Sequence, residues 1–271
     1  MKFLRLVKEN TIDGVLEGLR IDKRVTTHPI FSGPFFMIFT VSLYLYIVRK
    51  WGPKFMKGRK PYNVDAIMKL YNVMQIVLNA FIFYESLRYS YWRSDFSFTC
   101  RGFDPNDMNP LTLKGARPAL LYYVAKYLDL FDTIFFLLRK KFNQISFLHV
   151  YHHAFMIFGT HWGLSVTFAS HLSLIVVLNS LVHVVMYTYY LLAAMKLNID
   201  LTPWKKRMTI MQLVQFVTLL VHQILPFIHN PCNMHYLPLI FGLSQSVMML
   251  VLFSNFYYKS YICTDKKRKR T

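Results

Sequence analysis

Charge is scarce in this chain, at 17% of 271 residues, and acidic charge is scarcer still: 13 Asp and Glu stand against 32 Lys and Arg. Hydrophobic residues make up 54% and aromatic residues 17%, and apolar runs of roughly 20 residues recur, each long enough to cross a bilayer. No soluble domain is legible beside them. No cleavable leader is apparent either, because Met1 is followed by a charged, mixed-sign segment, so the first span is expected to act as a signal anchor. A net charge of +19 would suggest nucleic acid in a soluble protein. Here the cations cluster between the apolar runs and at the C-terminus, so they report orientation, and no nucleic-acid partner is expected.

Candidate spans cover roughly 29–48, 66–90, 117–138, 145–163, 171–192, 208–228 and 237–258. The expectation is an all-α integral membrane protein with seven transmembrane helices in one polytopic domain over 1–271. Cations follow the first span (Arg49, Lys50, Lys54, Lys57, Arg59, Lys60), the third (Arg139, Lys140, Lys141) and the fifth (Lys196, Lys205, Lys206, Arg207), and recur in the tail (Lys266 to Arg270). In a seven-span chain all four groups lie on one side, which the positive-inside rule makes cytosolic. Residues 1–28 then form a lumenal segment and 259–271 a cytosolic tail. The N-terminal cations Lys2, Arg5, Lys8, Arg20, Lys23 and Arg24 pull the other way and are outvoted.

The chain has only three cysteines. Cys100 and Cys232 fall in lumenal loops, where an oxidising compartment permits a disulfide, and Cys263 falls in the reducing tail. Lys267 and Lys269, fifth and third from the end, have the form of a retrieval signal for endoplasmic reticulum membrane proteins. A basic flank that binds anionic lipid has the same composition.

Against this apolar background, ionisable groups inside the spans stand out. His149, His152 and His153 share one helix face at i, i+3 and i+4, roughly 6 to 12 Å below the cytosolic end of the fourth span. Asp129 and Asp132 in the third span lie roughly 9 to 14 Å deep, with Lys126 a turn deeper. His183 sits at a similar depth in the fifth span with Asn179 below it, and Tyr187 and Tyr190 continue its face. Thr209, Gln212 and Gln215 repeat every third residue in the sixth. Such groups must face one another or water, which points to one shared cavity in the cytosolic half. Lys126, Asp129 and Asp132 have a second, less favoured reading as an ion-pair ladder, and Gln212 and Gln215 read equally as interhelical hydrogen-bond glue. His161, His171, His222, His229 and His235, toward the lumenal side, read as structural.

The histidines admit two chemistries. His149, His153 and His183 with an aspartate would suit a transition metal, whereas as base, nucleophile or acid they would act on an organic substrate. A membrane di-iron oxygenase needs about eight such histidines and this slab offers four, so no metal is expected.

The order and spacing of Leu148-His149-Val150-Tyr151-His152-His153, of Asn179 to Tyr190 and of Thr209-x-x-Gln212-x-x-Gln215 resemble the very-long-chain fatty acid elongases, the condensing enzymes of the endoplasmic reticulum membrane. In one place the pattern departs: where the family has Lys-x-x-Glu-x-x-Asp, this chain has Lys126, Asp129 and Asp132, a carboxylate one methylene shorter. The resemblance implies condensation of a long-chain acyl-CoA with malonyl-CoA to a 3-ketoacyl-CoA, carbon dioxide and CoA, with no bound cofactor. It also implies six helices around a closed acyl-CoA tunnel with the seventh outside, and a ketoacyl reductase, a dehydratase and an enoyl reductase as partners; a homodimer is compatible with it. Soluble condensing enzymes attack with a cysteine thiolate, which no cysteine here is placed to supply, so a histidine becomes the expected nucleophile. His152 is assigned that role through an acyl-histidine intermediate, with His183 and His149 positioning the malonyl unit and His153 completing the polar shell. Asn179, Tyr187 and Gln212 are expected at the enolate or thioester oxygen. Lys126, Arg139, Lys140 and Lys141 are expected at the CoA phosphates, and Asp129, Asp132, Tyr190 and Gln215 in the substrate-binding wall. The rival readings are a metal-dependent desaturase or hydroxylase and a non-enzymatic seven-span lipid transporter or receptor.

Overall fold

The structure, a computed structural model, describes residues 19–234 and 236–263. His235, the lysines Lys267 and Lys269 of the expected retrieval signal, most of the N-terminal segment and most of the basic tail lie outside the described residues. Among those described, the regular elements are all helical: α1 (Pro29–Ser32), α2 (Pro34–Tyr46), α3 (Gly52–Met56), α4 (Asp65–Tyr89), α5 (Pro110–Lys114), α6 (Ala116–Leu128), α7 (Leu130–Leu138), α8 (Phe147–Val166), α9 (Ser173–Met195), α10 (Thr202–Ile228) and α11 (Tyr236–Tyr257). Widened π turns at Ile47–Trp51 and Tyr258–Ile262 extend α2 and α11.

Four of these, α4, α9, α10 and the run Tyr236–Ile262, are long and apolar enough to cross a membrane. The other three expected spans are altered by local chemistry. Gly33 and Pro34 divide 29–48 into α1 and α2, because proline has no N–H to continue the first helix. The stretch 117–138 is two helices meeting at Asp129. α8 keeps 20 residues, but four histidines dilute its apolar content.

Packing neighbours run from α4 to α9, α10, α11, α8 and α6, and from α6 back to α4. α2 lies against α8. Outer faces expose Phe35, Leu70, Val77, Val221 and Val251, whereas Asn72, Gln75, Asn79, Lys126, Asp129, Asn179 and His183 are buried between helices. Apolar outside with polar inside is the arrangement a lipid solvent selects.

At one end, the connection from α4 to α6 folds over the helices. The Cys100 and Cys232 sulfurs are bonded at 1.90 Å, with Cα atoms 5.8 Å apart, which ties this connection to the one between α10 and α11. Gly102 is needed beside it, since a Cβ there would lie 2.6 Å from the Cys232 carbonyl oxygen. Arg101 pairs with Asp107 at 3.1 Å, and Arg93 with Asp95 at 2.5 Å. Arg24 donates to the Asp104 and Asp107 carbonyls. The Arg93 guanidinium holds the Asp95 carboxyl below the usual carboxylate range. Burial pushes Asp107 upward, but the Asn109 N–H, the Thr112 hydroxyl and Arg101 outweigh it, so its carboxyl also titrates low. His171 and His222 stack at this end, 3.7 Å between ring centroids, and His161 is held between Tyr123 and the Leu19 carbonyl.

Candidate active site

At the opposite end, Ser146 caps α8 by accepting the His149 N–H at 3.2 Å, which starts the helix just before its histidine face. The His149 and His153 rings lie 4.3 Å apart, and His153 and His152 5.6 Å. The three do not converge on one point. His149 Nε2 is 2.8 Å from the Thr133 hydroxyl of α7, which in turn lies 3.0 Å from the Tyr44 hydroxyl of α2. His153 is buried between its two neighbours. His152 faces an internal cavity, and its Nδ1 is buried with no hydrogen-bond partner among the described residues.

The junction of α6 and α7 builds a second cluster. The Asp132 N–H bonds the Asp129 carbonyl at 3.3 Å, a tight three-residue turn. Such a turn eclipses residues three apart, where a continuous α-helix would rotate them by about 60° per step. The turn therefore helps keep Lys126, Asp129 and Asp132 facing one way. The Lys126 ammonium donates to Asp129 Oδ2 at 2.9 Å and to Asn179 Oδ1 at 2.9 Å. Asp129 Oδ1 accepts from Gln75 Nε2 at 3.0 Å and lies 2.9 Å from the Tyr187 hydroxyl, which is also 2.9 Å from Asp132 Oδ2. The shorter carboxylate at 129 thus still reaches its lysine.

Asn179 and His183, one turn apart on α9, bring this cluster toward the histidines. The Asn179 carbonyl accepts from His183 Nδ1 at 2.8 Å, which leaves Nε2 as an acceptor in the neutral ring. That nitrogen points at the Lys126 ammonium, 3.4 Å away, so a cation already stands where a metal ion on His183 would sit.

Lys126, Asp129, Asp132, Asn179, His183 and Tyr187 therefore form one buried network, with Tyr190 packed beside Tyr187. Lys126 is 1% exposed and already paired, so it belongs to this network and not to the surface cations expected at the CoA phosphates. Arg139 and Lys140 are half-buried and Lys141 exposed just beyond α7. Gln215 is buried on the cavity wall; Gln212 is half-buried and does not line that cavity.

Sequence reasoning passed over α4. Tyr71, Gln75 and Asn79, at i, i+4 and i+8, form a buried polar stripe: Gln75 bridges to Asp129, and the Tyr71 hydroxyl bonds the Leu128 carbonyl at 3.1 Å. Their spacing in an apolar run was the available signal. Tyr122, whose hydroxyl donates to Asn179 Oδ1 at 2.9 Å, and Thr133 were legible only in three dimensions.

The cavity, part of whose wall is open, comprises about 1410 Å³ of space unfilled by protein atoms, open solvent included. His152, Asn179, Tyr122 and Gln215 line it, Ser90, Thr112, Thr167 and Gln245 reach it elsewhere, and most of the wall area is apolar, through Met156, Val176 and Leu219 to Phe96 and Phe168. A slot whose wall is mostly apolar by area and carries a histidine suits a long apolar chain with a reactive head.

Residues 29–269 match the family model described as ELO: GNS1/SUR4 family. The chain is 37% identical over 249 residues to very long chain fatty acid elongase 7 of Drosophila melanogaster, covering 92% of this chain and 75% of that protein. It is 36% identical over 245 residues to mouse very long chain fatty acid elongase 1, covering 89% and 86% respectively. To very long chain fatty acid elongase F of Drosophila simulans it is 36% identical over 250 residues, covering 89% of this chain and 93% of that one.

Proposed function

The chain belongs to the GNS1/SUR4 family, a multi-pass membrane family with fatty acid elongases among its members, and from that premise we propose that it catalyses the condensing step of elongation by way of an acyl-histidine. The carrying observation is His152: a buried ring nitrogen without a partner among the described residues, on the wall of a cavity that is mostly apolar by area. An imidazole nitrogen attacks the acyl-CoA thioester carbonyl, the N–C bond forms, the C–S bond breaks, and the departing thiolate takes the ring proton. Malonyl-CoA then loses carbon dioxide, and its enolate carbon attacks the acyl carbon. The C–C bond forms, the N–C bond breaks, and the imidazole returns after taking up one proton. The product is a 3-ketoacyl-CoA two carbons longer.

His183 and His149 position the malonyl unit and assist its decarboxylation. Asn179 and Tyr187 hold the surrounding charge in a dry site, where preorganised donors act most strongly. Arg139, Lys140 and Lys141 lie outside the buried network and are suited to CoA phosphates. The cyclic order of helix neighbours, with α2 outside it, supports a six-helix barrel in a seven-span topology. In that topology the basic loops face the cytosol and the disulfide end faces the lumen of the endoplasmic reticulum, and the ketoacyl product passes to a reductase, a dehydratase and an enoyl reductase.

Incubation with acyl-CoA alone, followed by peptide mass spectrometry, tests the intermediate. The acyl adduct is expected on the peptide containing His152 and absent in His152→Ala; an adduct that survives in that variant removes His152 as nucleophile. Incorporation of radiolabelled malonyl-CoA into acyl products by the purified wild-type protein tests the reaction itself.

A further inference from the structure

The buried network contains more short oxygen contacts than its two phenols have protons. The Tyr71 proton goes to the Leu128 carbonyl at 3.1 Å. Gln75 Nε2 supplies hydrogens to Tyr71 at 2.9 Å and to Asp129 Oδ1 at 3.0 Å. The Tyr187 hydroxyl lies 2.9 Å from Asp129 Oδ1 and 2.9 Å from Asp132 Oδ2, and it owns a single proton. With both carboxylates ionised, one of those two contacts would set lone pair against lone pair at hydrogen-bond distance. A third proton, on a carboxyl group, removes the conflict.

Charge leads to the same number. Lys126 faces Asp129 and Asp132 in a site where all three are buried, so one cation would confront two anions. An uncompensated charge in such a medium costs several kcal/mol, roughly, even after relaxation. The titratable groups facing the pair are Lys126, His183, Tyr44, Tyr71, Tyr122, Tyr187 and Tyr190, with His152, His153 and His149 beyond. A protonated His183 would also balance the charge, and its Nε2 lies 3.5 Å from Asp129 Oδ2; but the same nitrogen faces the Lys126 ammonium at 3.4 Å, and its protonation would leave the Tyr187 conflict standing.

Between the two carboxyls the partners decide. Asp129 already accepts from Lys126 and Gln75, one on each oxygen, and gains from being an anion. Asp132 has Tyr187 as its short side-chain contact, and Tyr71, also beside it, gives its proton to the Leu128 carbonyl.

We propose that Asp132 is a neutral carboxylic acid in the resting protein, donating to the Tyr187 oxygen and thereby directing the Tyr187 proton onto the Asp129 carboxylate that holds Lys126. Asp132 is a positioning residue: it fixes one hydrogen-bond direction in the network that carries Asn179 and His183. This deepens the proposed active site and rests on that reading only for its relevance to catalysis. The test uses no substrate, so its failure and a failure of condensation are separately visible.

Infrared difference spectra of the full chain in detergent, wild type against Asp132→Asn, are expected to show loss of one protonated-carboxyl C=O band that shifts in D2O. Tyr187→Phe removes the acceptor of that proton and is expected to move the same band to higher wavenumber, which decides the matter even if Asp132→Asn does not fold. Identical carboxyl bands in wild type and Asp132→Asn, or no shift in Tyr187→Phe, would overturn the proposal. So would an imidazolium signal in nitrogen-15 histidine spectra of the wild type that disappears in His183→Gln.

Discussion

The two ends of the helix set solve the same electrostatic problem in opposite ways. At the disulfide end, Arg93, Arg101, Arg24, Asp95 and Asp107 meet in a connection that water reaches on its carboxylate side: the Asp95 side chain is 48% and that of Asp107 22% exposed. At the histidine end, Lys126 and Asp129 are 1% and 4% exposed, and their neighbours are helices. Solvent screens the first set and a covalent bond supplements it; the second has only its own hydrogen bonds. Partner removal should therefore matter far more at the histidine end.

Lys126→Met should make that contrast largest. It strands Asp129, and breaking a buried pair costs about 3–5 kcal/mol, so thermal melting in detergent should fall well below wild type. A melt within a few degrees of wild type would mean that water enters the network.

Cys100→Ser comes next. It opens a closure across a sequence separation of 132 residues, and loss of a native disulfide costs about 2–5 kcal/mol. A non-reducing gel should show the shift, and proteolysis should appear first in the 91–109 connection. Wild-type mobility and cleavage pattern would count against the bond.

A smaller effect, on selectivity and not on folding, is expected inside the cavity between the two ends. Gly163 lines it, and a Cβ there meets only the Thr167 hydroxyl oxygen, at 3.6 Å. Gly163 stands eleven residues beyond His152, roughly 16 Å of helix rise. Gly163→Leu should therefore shorten the accepted acyl chains while the melt stays near wild type. Unchanged product lengths would place the acyl chain elsewhere.

The smallest effect belongs to the carboxylates of the disulfide end, which water reaches. Asp95 and Asp107 titrate below their ordinary value, so their stabilisation is present above the unfolded value of about 4 and is lost as pH falls through the lower folded values. Solvent screening limits it to about 1 kcal/mol. Hydrogen exchange in 91–109 should be flat from neutral pH down to about 5, apart from the intrinsic rate, and protection should drop only in stronger acid. A loss already near neutrality would show that the Asp95 and Asp107 carboxylates do not govern this end.

Much of the site was readable in one dimension because a lipid environment penalises stray polarity. Lys126, Asp129, Asn179, His183 and Tyr187 were conspicuous in apolar runs and do meet in one network. Gln75 was equally conspicuous, on a stripe with Tyr71 and Asn79, and was overlooked. Others left no such mark. Tyr122 and Thr133 are ordinary residues for an apolar helix, and which of three adjacent histidines faces a cavity depends on the neighbours of α8.

Composition and spacing by themselves determined a helical membrane chain, the helices that carry polar groups, and the family resemblance, because those follow from hydropathy, period and order along one strand of sequence. Tertiary structure alone decided three other matters. It showed that the third span breaks at Asp129 and that Lys126 is occupied within the network; and it left His152, not His149, with an unpartnered nitrogen on the cavity. Each depends on what a side chain meets across a helix interface, and spacing along a single helix holds no record of that.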